Sequence, residues 1–156
     1  VAAIPELIDR GVAVAIGADG APCNNRLDMF TEMRTAALLQ KVSHGPESLP
    51  ALTALRMATI NGAKALGLAD QIGSIEIGKR ADLMLMNLNS LNAVPSFDPV
   101  STIVYTAETS NVETVIIDGK IVMRERELLT INEGEVINEA LAHSRQLANL
   151  VSSLLV

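Results

Sequence analysis

Aromatic and basic residues are scarce in this sequence, and each shortage argues against a class of function. Trp is absent, and one Tyr and two Phe leave few aromatic rings to stack against a base or a ring-shaped ligand. The 12 Lys and Arg residues are outnumbered by 18 Asp and Glu residues, which gives a net charge of -6. Because phosphate binding relies on clustered basic residues, we expect no nucleic-acid partner.

Cysteines and long apolar runs are also missing. The single cysteine, Cys23, cannot form an internal disulfide and fits a reducing compartment, so a cytoplasmic location is expected. No apolar run approaches the ~20 residues of a membrane-spanning helix, and no signal peptide opens the chain, so we expect no membrane partner. The chain begins at Val1 and not at Met, which indicates a piece of a longer or processed protein.

The first residues that are present follow an α/β pattern. The chain is 49% hydrophobic, and its 156 residues suffice for one ordinary domain with a core. Residues 4–10 predict a short helix ended by Gly11. Residues 12–16 are continuously apolar and predict a strand buried on both faces, followed by a turn at residues 17–20. A helix followed by a buried strand is the repeating unit of α/β folds.

Helical patterns continue as far as residue 70. Residues 28–42 predict an amphipathic helix, with Asn25 as its N-cap. A second helix is expected over residues 50–59, with Pro50 in its first turn. A third is expected over residues 61–66.

The pattern becomes β-rich beyond residue 70. Residues 72–78 alternate apolar and polar side chains and predict a strand and a turn, and residues 81–87 predict another strand. Residues 112–123 contain two β-rich runs joined by Asp118-Gly119, which predicts a hairpin. Residues 97–99 are expected to open a turn and a short helical segment that ends at about residue 105.

Three segments are therefore expected. Residues 1–70 form an α/β segment, residues 71–131 a β-rich segment, and residues 132–156 a closing amphipathic helix. The single buried strand of the first segment lacks neighbours on both edges. That segment therefore needs strands from outside this sequence, or from another copy of the chain.

Asp19 is the strongest candidate for a catalytic residue. It follows the predicted buried strand and lies between Gly17 and Gly20, which allow a sharp turn. Residues at the carboxyl ends of barrel strands build active sites, and a carboxylate there can bind a metal or accept a proton. The alternative is that Asp19 only stabilises a turn or caps the next helix.

The other potential ligands form no recognisable set. His44 and His143 are far apart in sequence and belong to no metal-binding motif, so surface or boundary histidines are expected. Cys23 has no histidine near it in sequence to act as a base, which favours a structural or incidental thiol. Asn24 is a candidate substrate-binding residue.

Four blocks of sequence together resemble one known superfamily. They read IGADGA, NNRLDMF and EMR within residues 16–34, ALRMATINGA at 54–63, GSIEIGKRAD at 73–82, and VIIDGK at 115–120. In this order they resemble the methylthioadenosine/adenosylhomocysteine deaminases and the s-triazine hydrolases of the amidohydrolase superfamily. The resemblance covers nearly the whole chain.

The resemblance implies a metal-dependent (β/α)8 barrel with a β-sandwich built from both chain ends. Residues 1–70 would supply the last barrel strand and its helices, residues 71–131 part of the sandwich, and residues 132–156 a terminal helix. Asp19 would be the family's aspartate at the end of strand eight, which contacts a divalent metal and accepts a proton from the attacking water. Zinc is the expected metal, with iron as the alternative, and a homo-oligomer is expected.

The family's other active-site residues have no counterpart in this sequence. Its His-x-His, two later histidines and catalytic glutamate all lie upstream of the region that this chain resembles. A single carboxylate cannot hold a catalytic metal, since zinc sites use three or four protein ligands. We therefore expect this chain alone to be inactive and to bind no metal tightly.

Gly20 favours one branch of the group. The deaminases have Gly after the aspartate, whereas the dechlorinating enzymes tend to have Asn. The resemblance therefore implies hydrolytic deamination of an aminopurine nucleoside such as methylthioadenosine or adenosylhomocysteine. The alternatives are an s-triazine-type chlorohydrolase or another amidohydrolase, or a non-catalytic α/β module that assembles through unpaired strand edges.

Overall fold

A computed structural model describes residues 1–154 and shows a helical part joined to a small antiparallel sheet. The elements are α1 (Ile4–Asp9), α2 (Met29–His44), α3 (Ala51–Met57), α4 (Ile60–Ala65), β1 (Leu83–Met86), α5 (Pro99–Tyr105), a 3-10 turn (Thr109–Asn111), β2 (Val112–Ile117), β3 (Lys120–Arg124), β4 (Glu127–Leu128) and α6 (Glu133–Leu154). The helices predicted from sequence are all present, with bounds that differ by a few residues.

The core lies where α2, α3 and α5 meet the start of β2. Alanines on α2 and α3 are fully buried there, and their small side chains let the helices approach closely. The buried cluster comprises Phe30, Met33, Ala37, Ala51, Ala54, Val104, Ala107 and Val112. It therefore draws residues from both sides of the expected boundary near residue 70, while the division into three segments stays a prediction.

The start of α2 differs from the sequence prediction. Asp28, not Asn25, is the N-cap: its Oδ1 accepts the Phe30 N–H at 3.0 Å and its Oδ2 accepts the Thr31 hydroxyl at 2.7 Å. The prediction was wrong because Asn25 lies one turn too early to reach a free helical N–H. Pro50 likewise precedes α3 as its N-cap and does not lie within the first turn.

Removing the Asp28 cap should destabilise α2. We expect Asp28→Ala to lower the free energy of unfolding by about 1 kcal/mol, because the N–H of Phe30 loses its acceptor. Asn is also a good N-cap, so Asp28→Asn should lose much less. Urea unfolding followed by circular dichroism measures both, and equal losses in the two variants would contradict a capping role.

The predicted strand at residues 12–16 does not form. These residues belong to no ladder within residues 1–154, and Val12 keeps 49% of its surface exposed. Two backbone hydrogen bonds hold the segment: the Val12 N–H donates to the Leu7 carbonyl at 3.0 Å, and the Ile16 N–H donates to the Met57 carbonyl at 3.1 Å. A buried strand needs hydrogen-bonding neighbours on both edges, and no described segment supplies them.

The strand predicted within residues 72–78 is also absent. This segment folds as successive turns, with Ile75 and Ile77 pointing into solvent, because no described strand lies beside it. Lys79 closes the turns by donating to Ser74 Oγ at 2.6 Å and pairing with Glu76 Oε1 at 3.1 Å.

The hairpin prediction is confirmed. β2 and β3 pair antiparallel around Asp118 and Gly119, whose φ angles are 50° and 76°. Two successive positive φ angles suit a tight hairpin turn and explain the Asp-Gly pair. The strand order is β1-β2-β3-β4, so the strand predicted at residues 81–87 forms one edge. The two-residue β4 was not predicted.

The start of α5 contains a carboxylate with a shifted pKa. The Ser101 hydroxyl donates to Asp98 Oδ2 at 2.5 Å, and the N–H groups of Ser101 and Val100 donate at 3.1 and 3.2 Å. These hydrogen bonds, led by the Ser101 hydroxyl, lower the pKa of Asp98 below its ordinary value.

The lowered pKa predicts a specific acid sensitivity. A carboxyl with a lower pKa in the folded state stabilises the fold above its unfolded pKa, and that stabilisation is lost as the pH falls through the folded pKa. We expect Asp98→Asn to flatten the acid limb of stability against pH below 3.8, the ordinary value of this group. Urea midpoints measured against pH test this, with Asp70→Asn as a control. Parallel limbs for wild type and Asp98→Asn would contradict it.

The closing helix is confirmed, and it stands apart from the core. Every side chain of α6 that the structure describes is exposed, including Val136, Ile137 and Leu141. Residues 155 and 156, which were predicted to continue it, lie outside the described residues. Among the described helices, none has the length and apolar character needed to cross a membrane.

Candidate active site

Asp19 lies in an exposed loop shortly after the irregular segment that the sequence predicted as a strand. Its φ angle is 60°, in the left-handed region that Asp tolerates better than most residues. The Gly20 N–H donates to Asp19 Oδ1 at 2.8 Å, which orients the carboxylate relative to its own backbone. This leaves Oδ2 without a hydrogen-bond partner among residues 1–154.

The loop after Asp19 is held by its own hydrogen bonds. The Gly20 carbonyl accepts the N–H groups of Cys23 and Asn24, both at 2.9 Å. The Asn24 side chain accepts from the N–H groups of Arg26 and Leu27 at 3.0 and 3.3 Å. Its Nδ2 donates to Glu32 Oε1 at 2.5 Å.

Asn24, the predicted substrate-binding residue, already forms hydrogen bonds within the protein. Asn24 is half-buried and already uses both ends of its amide locally, with one Nδ2 hydrogen left for another acceptor. Its role as a substrate ligand stays a prediction. The link to Glu32 was missed from sequence, because no periodicity connects residues that lie eight positions apart across a loop.

Asp19 fits a divalent metal as one member of a larger ligand set. A carboxylate oxygen is a suitable donor for zinc, and Oδ2 is available to give it. Within residues 1–154, no group of three His, Cys, Asp or Glu side chains lies close enough to hold a metal ion. The described residues therefore do not complete such a site by themselves.

The histidines and the cysteine lie elsewhere or are exposed. His44 ends α2 and its Nε2 lies 3.2 Å from Glu6 Oε1, so it contacts α1. His143 is exposed on α6, and Cys23 is an exposed free thiol. The exposed positions of His44 and His143 agree with the surface positions that were predicted for them.

An apolar cleft lies apart from this loop. It measures about 470 Å³ and is lined by residues of α4, the turns at 72–75 and the start of β1, including Leu66, Ile72 and Met84. Neither Asp19 nor Asn24 lines it. The candidate site is therefore defined by the loop that follows residue 18, and not by this cleft.

The identity of the fold follows from comparison with known proteins. Residues 1–122 match the model of the Amidohydrolase family, which is well over half of the chain. The chain belongs to this family. The resemblance inferred from the four sequence blocks is thereby confirmed, together with the α/β class and the relation to the amidohydrolase fold.

Proteins named as deaminases are among the relatives of this chain. It is 47% identical over 148 residues to a protein of Syntrophomonas wolfei named 5-methylthioadenosine/S-adenosylhomocysteine deaminase. It superimposes with a TM-score of 0.87 and 40% identity on a zinc-bound adenosine deaminase of Xanthomonas campestris, covering 96% of this chain.

A triazine-degrading enzyme is a more distant neighbour. The zinc-bound atrazine chlorohydrolase of Arthrobacter aurescens superimposes with a TM-score of 0.84 at 26% identity, over 91% of this chain. The chain spans 34% of the length of the Syntrophomonas and Xanthomonas proteins and 32% of the chlorohydrolase. It thus spans about a third of the proteins that it matches.

Proposed function

We propose that an amidohydrolase containing this chain removes ammonia by hydrolysis from an aminopurine nucleoside such as methylthioadenosine or adenosylhomocysteine. The observation that carries the proposal is the 47% identity to a deaminase named for these two substrates, which extends over 94% of the chain. The lower identity of 26% to the chlorohydrolase favours the deaminase branch. The holoenzyme is the zinc-loaded amidohydrolase that contains this chain.

Asp19 is the residue of this chain that we assign to the reaction. The amino-bearing carbon of the purine is attacked by water, which must lose a proton as the C–O bond forms. Asp19 Oδ2 accepts that proton, while Oδ1 stays bonded to the Gly20 N–H and keeps the carboxylate oriented. The C–N bond then breaks and the amine gains a proton, so the reaction consumes one water and releases ammonia.

A zinc ion would contribute Lewis-acid chemistry that Asp19 alone cannot supply, lowering the pKa of a water molecule beside it. The zinc-bound neighbours support this assignment for the family. Asp19 would supply one ligand, and because no group of three potential ligands lies together within residues 1–154, we assign the other ligands to residues outside this range. We therefore propose that the chain alone binds no metal tightly and has no activity.

The proposed substrate class can be tested directly on the holoenzyme. Incubation with 5'-methylthioadenosine should release ammonia and shift the purine absorbance to that of the deaminated base, whereas atrazine should release little chloride. Chloride release from atrazine at a higher kcat/KM would favour the chlorohydrolase alternative. Turnover of neither substrate would contradict the proposal.

The chain without its remaining polypeptide tests the alternative of a non-catalytic module. A self-sufficient module should form one folded species of defined size, which size-exclusion chromatography with light scattering would detect. An active-site segment of a larger enzyme should aggregate or exchange elements through its unpaired strand edges. Deamination by residues 1–156 alone would refute the assignment of zinc ligands outside them. The homo-oligomer expected from the resemblance stays a prediction.

A further inference from the structure

One side-chain hydrogen bond, between Asn24 and Glu32, links the loop that follows Asp19 to the first turn of α2. Asn24 Nδ2 donates to Glu32 Oε1 at 2.5 Å, and Glu32 lies in the first turn of α2. Phe30 and Met33 on the same turn are 6% and 4% exposed and belong to the core. The pair therefore connects an exposed loop to a turn of helix that packing holds in place.

The first residue of the loop, Gly20, is hydrogen-bonded to the Asp19 carboxylate. Gly20 donates its N–H to Asp19 Oδ1 at 2.8 Å and accepts the Asn24 N–H through its carbonyl at 2.9 Å. A continuous series of hydrogen bonds thus leads from Asp19 through Gly20 and Asn24 to Glu32. Because Asp19 and Gly20 are exposed, these bonds, and not side-chain packing, set the loop conformation.

We propose that Asn24 and Glu32 are a positioning pair that fixes the direction of the Asp19 carboxylate. The inference rests on the role of Asp19 in the proposed function. The pair acts through the loop and needs no contact with substrate or metal. Residues that orient a metal ligand typically change metal affinity or activity by roughly 10–100-fold when they are replaced.

The pair can be broken without a change in side-chain size. Asn24→Asp removes the Nδ2 donor and sets two carboxylates against each other, so the loop should leave α2. In the holoenzyme we expect kcat with 5'-methylthioadenosine to fall about 10–100-fold, with a smaller change in KM, since the defect lies in alignment. Zinc should also be lost faster during dialysis against a chelator, although the added negative charge would by itself favour zinc.

A reciprocal exchange separates positioning from general damage to the loop. In the double variant Asn24→Asp/Glu32→Gln the amide and the carboxylate trade places, so one hydrogen bond can re-form. We expect kcat and zinc retention to return close to the wild-type values. Glu32→Gln alone keeps an acceptor oxygen but loses the charge that strengthens the hydrogen bond, so its kcat should fall less than that of Asn24→Asp, whereas Glu32→Leu should resemble Asn24→Asp.

Asn25→Asp is the matched control. It makes the same chemical change in the same loop, at a side chain that has no hydrogen bond within residues 1–154. Both kcat and zinc retention should stay near wild type, which removes charge as an explanation.

Several outcomes would overturn the proposal. It fails if Asn24→Asp and Glu32→Leu keep the wild-type kcat and zinc retention. It also fails if the double variant recovers the wild-type melting temperature but not kcat, because the pair would then be structural only. If the wild-type holoenzyme holds zinc but deaminates nothing, the proposed function fails, and zinc retention still tests the pair.

Discussion

Replacement of Asp19 by Asn is expected to reduce kcat of the holoenzyme by at least about 10³-fold. A positioned general base contributes typically 10²–10⁴-fold, and Asn cannot accept the proton that the attacking water loses. The amide is nearly the same size and can still accept the Gly20 N–H, so the loop should keep its conformation. The loss should therefore come from chemistry and not from unfolding.

Two measurements on this variant test separate parts of the assignment. Ammonia release under saturating 5'-methylthioadenosine gives kcat, and zinc content after dialysis reports the loss of one oxygen ligand. Asp70→Asn is the matched control, since Asp70 is exposed in the turn after α4 and has no side-chain hydrogen bond within residues 1–154. Wild-type kcat in Asp19→Asn would remove this residue from the reaction.

Gly73→Ala is expected to be the most destabilising of the single methyl additions at glycine. A Cβ at residue 73 would lie 2.7 Å from the Ala63 Cβ and 2.9 Å from the Ile60 Cα, which are parts of α4 and not flexible side-chain ends. The φ angle of 91° adds strain for any residue with a Cβ. Together these should lower the free energy of unfolding by roughly 2–5 kcal/mol.

Gly78→Ala separates the two causes. Gly78 has a similar φ angle of 95°, but an added Cβ there meets nothing within 4 Å. It should lose only the conformational part, about 1–2 kcal/mol. Urea unfolding of both variants gives the difference, which reports the contact of the 72–78 turns with α4. Equal losses would show that this contact is absent in solution.

The sequence predicted well the elements that depend on neighbouring residues. The Asp118-Gly119 pair predicted the hairpin because two positive φ angles are readily adopted by Asp and Gly. The helix at Met29–His44 followed from the spacing of Phe30 and Met33, which do enter the core. Local conformation and one-sided burial require no knowledge of distant segments.

The elements that depend on distant partners were not predictable in the same way. Residues 12–16 have the composition of a buried strand, yet no described strand pairs with them. Residues 72–78 alternate as a strand would, but fold as turns against α4. Apolar composition indicates that a segment favours burial. A β-strand, however, forms only where a second backbone segment lies beside it and supplies the hydrogen-bonding partners.

By itself, the sequence determined the amidohydrolase family, the hairpin, the helices and Asp19 as the candidate carboxylate. Only the tertiary structure decided that Asp28 caps α2, that Gly73 lies against α4, and that Asn24 reaches Glu32. The physical reason is the range of the interactions. Side-chain type and spacing fix local backbone preferences, but the partner of a hydrogen bond across a loop depends on how the whole chain packs.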